Sequence, residues 1–260
     1  MVFPHNGENH ENGIKNEKNT VEYQNNNPNN AINICLMSGY GGSDVEWSHQ
    51  GGTKQKADAN VKITTPGNVE IIEEISLKNH KSGTFDWENT TKGVPENIKN
   101  QIKEYKEKNK SATEVTKMHR NEVNTILSDS LNNFTHEMIK GMLSAIYDDY
   151  PEWILVNKNK EKEFIMFHKD NLEKYFKPKE NETYILKKSR AKTSRQIWMQ
   201  SSDGNEKNTN LRIRLVTNNG VGALLGLSKS NKSSVPCIKI QQDHVDKFIS
   251  CCKDKTIVKY

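Results

Sequence analysis

The sequence predicts an α+β fold, in which an α/β core with a mixed sheet is flanked by helices. One observation is a strong turn signal, Thr-Pro-Gly-Asn at 65–68, between two segments with strand character. A second is the recurrence of apolar residues at every fourth position over 134–146, which is typical of a helix. A third is the series of short apolar segments after Pro151, which indicates a β-rich C-terminal region.

The two segments around the turn, 53–63 and 69–78, predict a β-hairpin. Proline presets φ at the second turn position, and glycine is expected to supply a positive φ. Side chains alternate between the two faces of a strand, so Ser76 and Lys78 share one face of the second strand. Asp58 begins the first strand and is expected beside them. The hairpin thus predicts a carboxylate next to an ammonium group at the end of a sheet.

This arrangement resembles the PD-(D/E)xK core of many type II restriction endonucleases. The residues that carry the resemblance are Lys56-Ala57-Asp58 and Ile75-Ser76-Leu77-Lys78. The resemblance implies a Mg²⁺-dependent type II site-specific deoxyribonuclease, a hydrolase that makes sequence-specific double-strand breaks in DNA. The residue types suit this chemistry, because Mg²⁺ prefers carboxylate and carbonyl oxygens and keeps several of its waters.

Each residue of the motif takes a role from the resemblance. Asp58 would ligate Mg²⁺, and the Leu77 carbonyl would supply a second oxygen. Lys78 would orient or activate the attacking water and stabilise the charge that develops on the phosphoryl group. A surface ion pair without catalytic function is the alternative for Asp58 and Lys78.

Ser76 departs from the family pattern, because the family usually carries Glu or Asp at that position. A charged ligand is thereby lost. The candidates to replace it are Glu74 on the same strand and Glu17 in a helix predicted over 10–24, since a helix before the hairpin often contributes a Glu in the resembled nucleases. An exposed helix carboxylate is the alternative for Glu17. The sequence leaves open whether Ser76, Glu74 or Glu17 completes the metal site.

Two polar stretches flank the hairpin. The glycine-rich stretch 39–52 lacks a nucleotide-binding pattern, and we expect a flexible approach whose backbone N–H groups can come close to DNA phosphates. The stretch 78–83, which contains Lys81, is suited to lie against a phosphate backbone. Further helices are predicted over 95–110, 115–127 and 134–146.

The segment 187–196 is the richest in cations, with five Lys or Arg in ten residues and no acid. As a loop between strands it is expected to enter a groove of duplex DNA, where Lys holds phosphates and Arg or Gln reads base edges. An alternating strand over 211–215 presents two further arginines on one face. A solvated basic surface without a partner is the alternative. The predicted DNA-contacting residues are Lys187, Lys188, Ser189, Arg190, Lys192, Arg195, Gln196, Arg212, Arg214 and Lys81.

Charge is distributed unevenly along the chain. Residues 1–150 carry 16 Lys and Arg against 21 Asp and Glu, whereas residues 151–260 carry 22 against 12. This asymmetry predicts a catalytic region over 1–150 and a β-rich, basic DNA-recognition region over 151–260. The second region also resembles the C-terminal part of HhaI-type restriction enzymes. The resembling segments are 164–167, 172–176 and 184–189, and 17–23 has a counterpart in the first helix of those enzymes.

The sequence carries no sign of a membrane protein, a secreted protein or a zinc-binding protein. No apolar run of about 18 residues exists, so no transmembrane helix is predicted. No basic-then-apolar leader is visible at the N-terminus, and the four cysteines lack the spacing of a zinc site. The sequence therefore predicts a soluble, cytoplasmic protein with reduced thiols.

Two other functions stay open. The chain could be a non-catalytic, sequence-specific DNA-binding protein, a hypothesis that Ser76 favours. It could also be an RNA-processing nuclease, although the aromatic content of 7% favours duplex DNA over single strands. The restriction-enzyme resemblance implies double-stranded DNA as a partner and a cognate DNA methyltransferase in the same system, because host DNA must be protected. A homodimer is also left open.

Overall fold

The structure, a computed structural model, describes residues 9–50, 57–80, 83–227 and 234–260. Its elements confirm the predicted α+β class. The helices within these ranges are α1 (Asn9–Asn26), α2 (Ala31–Tyr40), α3 (Glu96–Lys108), α4 (Lys117–Leu131), α5 (His136–Asp149), α6 (Asp170–Phe176), α7 (Gly220–Leu224) and α8 (Val245–Cys251). The strands are β1 (Asp44–His49), β2 (Ala59–Thr64), β3 (Glu70–Asn79), β4 (Phe85–Thr90), β5 (Trp153–Lys158), β6 (Glu163–His168), β7 (Glu182–Lys188), β8 (Ser194–Ser201), β9 (Glu206–Thr217), β10 (Pro236–Gln242) and β11 (Thr256–Lys259).

The chain divides into two compact units, and each unit uses separate stretches of sequence. These units do not coincide with the predicted regions 1–150 and 151–260. The reason is that β5, β6 and β11 join the sheet of the first strands, whereas β4 joins the sheet of the later strands. Unit 1 comprises Met1–Phe85, Tyr147–Lys174 and Val245–Tyr260, and unit 2 comprises Asp86–Ile146 and Tyr175–His244.

Unit 1 contains a six-stranded mixed sheet in the order β1-β2-β3-β5-β6-β11. Strands β3 and β5 are parallel, and the other neighbours are antiparallel. The predicted hairpin is confirmed as β2 and β3, with Ala59 opposite Ile75. Strand β2 begins at Ala59 rather than at 53, and residues 53–56 lie outside the described residues. Helices α1 and α2 cover one face of this sheet, where Leu36 packs with Val61, Ile63 and Ile75 in one buried cluster. We call this side of the sheet the helix-covered face.

The hairpin turn differs from the prediction in one residue. Asn68, not Gly67, has the positive φ, at 57°. Asparagine tolerates this left-handed conformation because its short side chain can form local hydrogen bonds. The Asn68 N–H donates to the Thr65 carbonyl at 2.9 Å, and the Thr65 N–H donates to the Val69 carbonyl at 3.0 Å. The turn therefore fixes the register of the two strands.

The glycine-rich stretch contains a strand, which corrects the prediction of a flexible approach. Strand β1 pairs with β2 from Asp44 to His49. Gly41 ends α2 with a φ of 62°, a left-handed conformation that glycine adopts without strain. Gly42 then passes so close to β2 that an added Cβ would overlap Ile63 Cγ2. The two glycines thus allow a tight connection from helix to strand.

Unit 2 contains a five-stranded sheet in the order β4-β10-β9-β8-β7. Alternation along β9 gives the sheet two different faces. Leu211, Ile213 and Leu215 are fully buried on the face toward α4, which contacts β8 and β9. The other side, which we call the polar face, carries Gln196 of β8, Arg212 and Arg214 of β9, and Lys239 and Gln241 of β10.

Among the residues that the structure describes, no helix is both long enough and apolar enough to cross a lipid bilayer.

Candidate active site and nucleic-acid interface

Asp58 is fixed by its main chain immediately before β2. Its N–H donates to the Ile75 carbonyl at 3.0 Å, and its carbonyl accepts from the Gln50 N–H at 3.0 Å. The hydrogen-bond ladder of β1, β2 and β3 therefore continues through Asp58. As a result, the sheet itself positions the Asp58 side chain.

The Asp58 carboxylate is held by two donors from β3. Its Oδ2 accepts a hydrogen bond of 2.7 Å from the Leu77 N–H and one of 3.1 Å from the Ser76 hydroxyl. Ser76 has 0% exposure, so its hydroxyl is locked in place. Ser76, the residue for which the resembled nucleases usually carry Glu or Asp, thus orients Asp58 as a hydrogen-bond donor. Both bonds involve Oδ2, and neither involves Oδ1.

The oxygens near Asp58 suit a hard cation. The N–H and C=O groups of one strand residue point to the same side, so the Leu77 carbonyl points to the side of Asp58. Asn60, two residues further along on β2, has a buried amide oxygen without a hydrogen-bond partner among the described residues. Carboxylate, carbonyl and amide oxygens are ligands that suit Mg²⁺. The donor set fits Mg²⁺, and Asn60 is a candidate that the sequence analysis missed.

Lys78 projects from the same face of β3 as Ser76. Its Nζ lies 5.1 Å from the ring centroid of Tyr150, which is a cation–π distance. Tyr150 is buried, with 4% exposure, and its carbonyl accepts a 3.2 Å hydrogen bond from Lys169 Nζ. Tyr150 therefore offers Lys78 a rigid aromatic surface. Sequence reasoning missed this partner because no local pattern links it to the hairpin.

Glu17 is not brought to this group of residues. Its Oε2 lies 2.9 Å from His49 Nε2, and His49 is opposite Ala59 in the sheet. Ala59 belongs to the core cluster under α1 and α2, so Glu17 lies over the helix-covered face. Ser76 projects from the other face. Glu17 is therefore paired with His49 in this structure, and its role in completing the metal site stays a prediction.

Glu74 is exposed on the same face as Ser76 and lies opposite Asn60. Glu74 borders the candidate site, and no hydrogen bond joins it to Asp58 in the part of the chain that the structure describes. Glu73 has a different task on the helix-covered face, where burial and a hydrogen bond to Glu73 raise the pKa of Tyr40 to about 12. In the part of the chain that the structure describes, no three His, Cys, Asp or Glu side chains gather into a metal-holding group.

The face that carries Ser76 and Lys78 is partly packed and partly open. Ile154, the register partner of Ser76 on β5, is fully buried. Ile72, four residues before Ser76 on β3, is 55% exposed. The group around Asp58 therefore lies at the border between packed and solvent-facing sheet, where a polymer can approach.

The predicted basic loop is shorter than the segment 187–196, because β7 extends to Lys188 and β8 begins at Ser194. Lys188, Arg190 and Lys192 are exposed. The Ser189 hydroxyl donates to the carbonyls of Ala191 and Ser194, each at 3.1 Å, and so shapes the loop internally. Three cations thus remain directed to solvent. Lys81 lies outside the described residues.

Arg195 has a structural task that excludes the predicted contact with DNA. It is buried, with 8% exposure. One guanidinium nitrogen donates to the carbonyls of Lys192 and Ser194, each at 2.9 Å. The other donates to the Ser128 carbonyl at 3.1 Å and to Asn132 Oδ1 at 2.8 Å. Arg195 therefore ties the loop to the C-terminal end of α4.

The remaining predicted contacts gather on the sheet of unit 2. Lys187 pairs with Glu206 and lies 4.1 Å from the Trp198 ring centroid. The Gln196 amide oxygen accepts a 3.2 Å hydrogen bond from the Trp198 ring N–H. Both side chains belong to the polar face. On the same face, Arg212 Nη2 lies 2.9 Å from Asp243 Oδ1, and Arg214 Nη1 donates a 3.3 Å hydrogen bond to Gln241 Oε1.

Comparison with known proteins gives one structural likeness. No family model matches the chain, and no curated protein matches it. The chain is similar to the crystal structure of the restriction endonuclease MspI in complex with its cognate DNA, with 14% sequence identity, over 68% of this chain and 81% of that one, and with a TM-score of 0.30. At this TM-score the likeness carries no argument, and the candidate site rests on its own geometry.

Proposed function

We propose that the chain is a Mg²⁺-dependent type II restriction endonuclease that hydrolyses phosphodiester bonds in double-stranded DNA. One observation carries the proposal. The Asp58 carboxylate is fixed by Leu77 and Ser76 at a strand end, and Lys78 projects from the same face beside a rigid aromatic ring. A carboxylate and a lysine on the same face of a sheet, at the border of its open part, would suit phosphodiester hydrolysis.

The residues would divide the chemistry among them. Asp58, the Leu77 carbonyl and the Asn60 amide oxygen would hold Mg²⁺, and Glu74, opposite Asn60 in the sheet, would bind one of its waters. When bound, the cation supplies a water of lowered pKa and positive charge for the phosphoryl oxygens. Lys78 would orient the attacking water and add a second positive charge.

The DNA would be held by unit 2 under this proposal. The exposed Lys188, Arg190 and Lys192 suit phosphate contacts or base edges in a groove. Arg212 and Arg214 lie on the polar face, whose amide and guanidinium groups can both donate hydrogen bonds. A restriction enzyme also needs a cognate DNA methyltransferase that protects the host DNA.

A non-catalytic DNA-binding protein is the second candidate. Ser76 favours it, because this residue orients Asp58 without adding a negative charge for a cation. Under this alternative, Asp58 would serve only to continue the β-ladder and to fix the end of β3.

Plasmid cleavage separates the two candidates. Purified protein would be incubated with supercoiled plasmid in Mg²⁺ and, in parallel, in EDTA. Discrete linear fragments in Mg²⁺ alone support the endonuclease. Binding without cleavage in both buffers supports the second candidate, and cleavage of single-stranded RNA instead would indicate an RNA-processing nuclease.

A further inference from the structure

An open cavity of about 270 Å³ lies at the end of the polar face in unit 2. Its walls come from β4, β9, β10 and the loop after β9. Because a water molecule occupies about 30 Å³ in the liquid, the cavity has room for a small polar group together with its hydration. The lining residues used below are Asn89, Arg214, Asn218, Asn219, Cys237 and Lys239.

Two cations stand next to each other in this cavity. Arg214 and Lys239 are direct register partners on β9 and β10, and both line the cavity. Like charges directly opposite each other on one sheet face repel. No carboxylate lies within ion-pair distance of either side chain in the described ranges, and no acid lines the cavity. The pair is therefore left with an excess positive charge.

The Arg214 guanidinium is also incompletely used. One terminal nitrogen donates to Gln241 at 3.3 Å, which is a long hydrogen bond. Its Nε is buried and has no hydrogen-bond partner among the residues that the structure describes. A buried donor without a partner is unfavourable, and a ligand with acceptor oxygens would satisfy it.

The neutral residues of the cavity add donors. The Cys237 thiol donates to the Asn89 amide oxygen at 3.4 Å, so the Asn89 amide N–H groups remain for other partners. Burial raises the pKa of Cys237, and the nearby Lys239 only partly opposes that rise. The thiol therefore stays protonated at neutral pH and does not add negative charge to the cavity.

We propose that this cavity binds a phosphate group through Arg214 and Lys239. A phosphate offers several acceptor oxygens and a negative charge that offsets the repulsion between the two cations. The lining contains no aromatic ring on which a nucleobase could stack, which argues against an everted base. Two sources share this chemistry: a backbone phosphate of DNA, as the proposed function suggests, and a free phosphate anion.

Lys239→Gln tests the proposal with two measurements. Affinity for a labelled random duplex would be measured in EDTA at several salt concentrations. Binding of orthophosphate would be followed through the backbone amide NMR signals of Asn218 and Asn219. Lys239→Arg is the conservative variant, and Lys103→Gln on the exposed side of α3 is the matched control with the same change of charge.

A DNA phosphate in the cavity predicts that Lys239→Gln lowers the slope of log K against log salt by about 0.9, while Lys239→Arg and Lys103→Gln keep the wild-type slope. A free anion predicts an unchanged slope together with orthophosphate shifts that Lys239→Gln abolishes. Both results support the phosphate site. An unchanged slope with no saturable orthophosphate shift in the wild-type protein would overturn it.

The duplex-binding measurement rests on the proposed function. Failure of the proposed function and failure of the phosphate site give different results. If the wild-type protein neither binds nor cuts duplex DNA, the proposed function fails, and the orthophosphate titration still decides whether the cavity binds an anion. If the wild-type protein cuts DNA while both Lys239 measurements stay at the wild-type level, only the cavity assignment fails.

Discussion

The charged side chains of the two units are held in different ways. In unit 1, Asp58 is bonded by residues of the same hairpin, so a single turn fixes both the group and its neighbours. In unit 2, some cations of 187–196 form hydrogen bonds or ion pairs within the unit and others face solvent. Arg195 is one of the first kind, because it donates hydrogen bonds to the C-terminal end of α4. The presence of a cation in a basic stretch therefore does not show whether it faces solvent or is buried. The register of a hairpin, in contrast, does show which side chains lie next to each other.

Among substitutions outside the proposed cation ligands, the largest effect is expected for Lys78→Ala. Removing the ammonium should lower the cleavage rate by at least about 100-fold, because a charge beside the reacting phosphoryl group is lost. DNA affinity in EDTA should change little. Single-turnover cleavage of a labelled duplex measures the effect, and Lys62→Ala on β2 is the control. Wild-type cleavage by the Lys78 variant would remove this residue from the site.

Arg195→Ala should reduce stability, in contrast to the rest of the basic segment. The substitution leaves the carbonyls of Ser128 and Lys192 without their donor, which should cost about 2–4 kcal/mol in the free energy of unfolding. Arg190→Ala, on the exposed part of the loop, should leave that free energy unchanged. Urea denaturation of the two variants measures the difference. Equal stabilities would contradict the structural task of Arg195.

Arg190 should instead affect DNA recognition. If it reads a base edge, Arg190→Ala should cost about 1–3 kcal/mol of binding free energy on the cognate duplex and less on a random duplex. Lys188→Ala is the comparison, because a phosphate contact should weaken both duplexes alike and lower the salt slope by about 0.9. Titrations in EDTA distinguish the two patterns. Equal losses for Arg190→Ala on both duplexes would make it a phosphate contact.

A smaller effect is expected at Tyr150. Tyr150→Leu removes the ring next to Lys78, which should reduce cleavage by roughly 2- to 30-fold, the equivalent of about 0.5–2 kcal/mol for a cation–π contact. Tyr150→Phe keeps the ring and should cleave at close to the wild-type rate. The ratio of the two single-turnover rates is the measurement, after correction for any loss of folded protein. Equal rates would show that the ring does not position Lys78.

Much of the fold follows from local pattern. The turn at 65–68 predicted the hairpin, and periodic apolar residues predicted α5, because each of these signals is contained within a short stretch of sequence. Strand β1 was missed because its flanking glycines indicate flexibility when read alone. The division into units was missed as well, since the pairing of β3 with β5 joins residues that are far apart in sequence.

In the candidate site, too, the contacts within the hairpin could be predicted from the sequence, whereas contacts with other elements could not. Alternation placed Ser76 and Lys78 on one face, and the turn brought Asp58 to Ser76, so neither arrangement needed long-range information. The contact of Glu17 with His49 could not be predicted, because sequence does not reveal which face of the sheet a helix covers. The Tyr150 contact joins elements that are distant in sequence, which local spacing cannot indicate.

The central claim is that Asp58 holds the catalytic cation, and Asp58→Ala tests it most directly. Cleavage with Mg²⁺ and duplex binding with EDTA would be measured on the same protein preparation. The account predicts that cleavage is abolished while binding is retained or becomes tighter, because the loss of the carboxylate removes a cation ligand and a repulsion with phosphate. Cleavage at the wild-type rate in Mg²⁺ would contradict the claim.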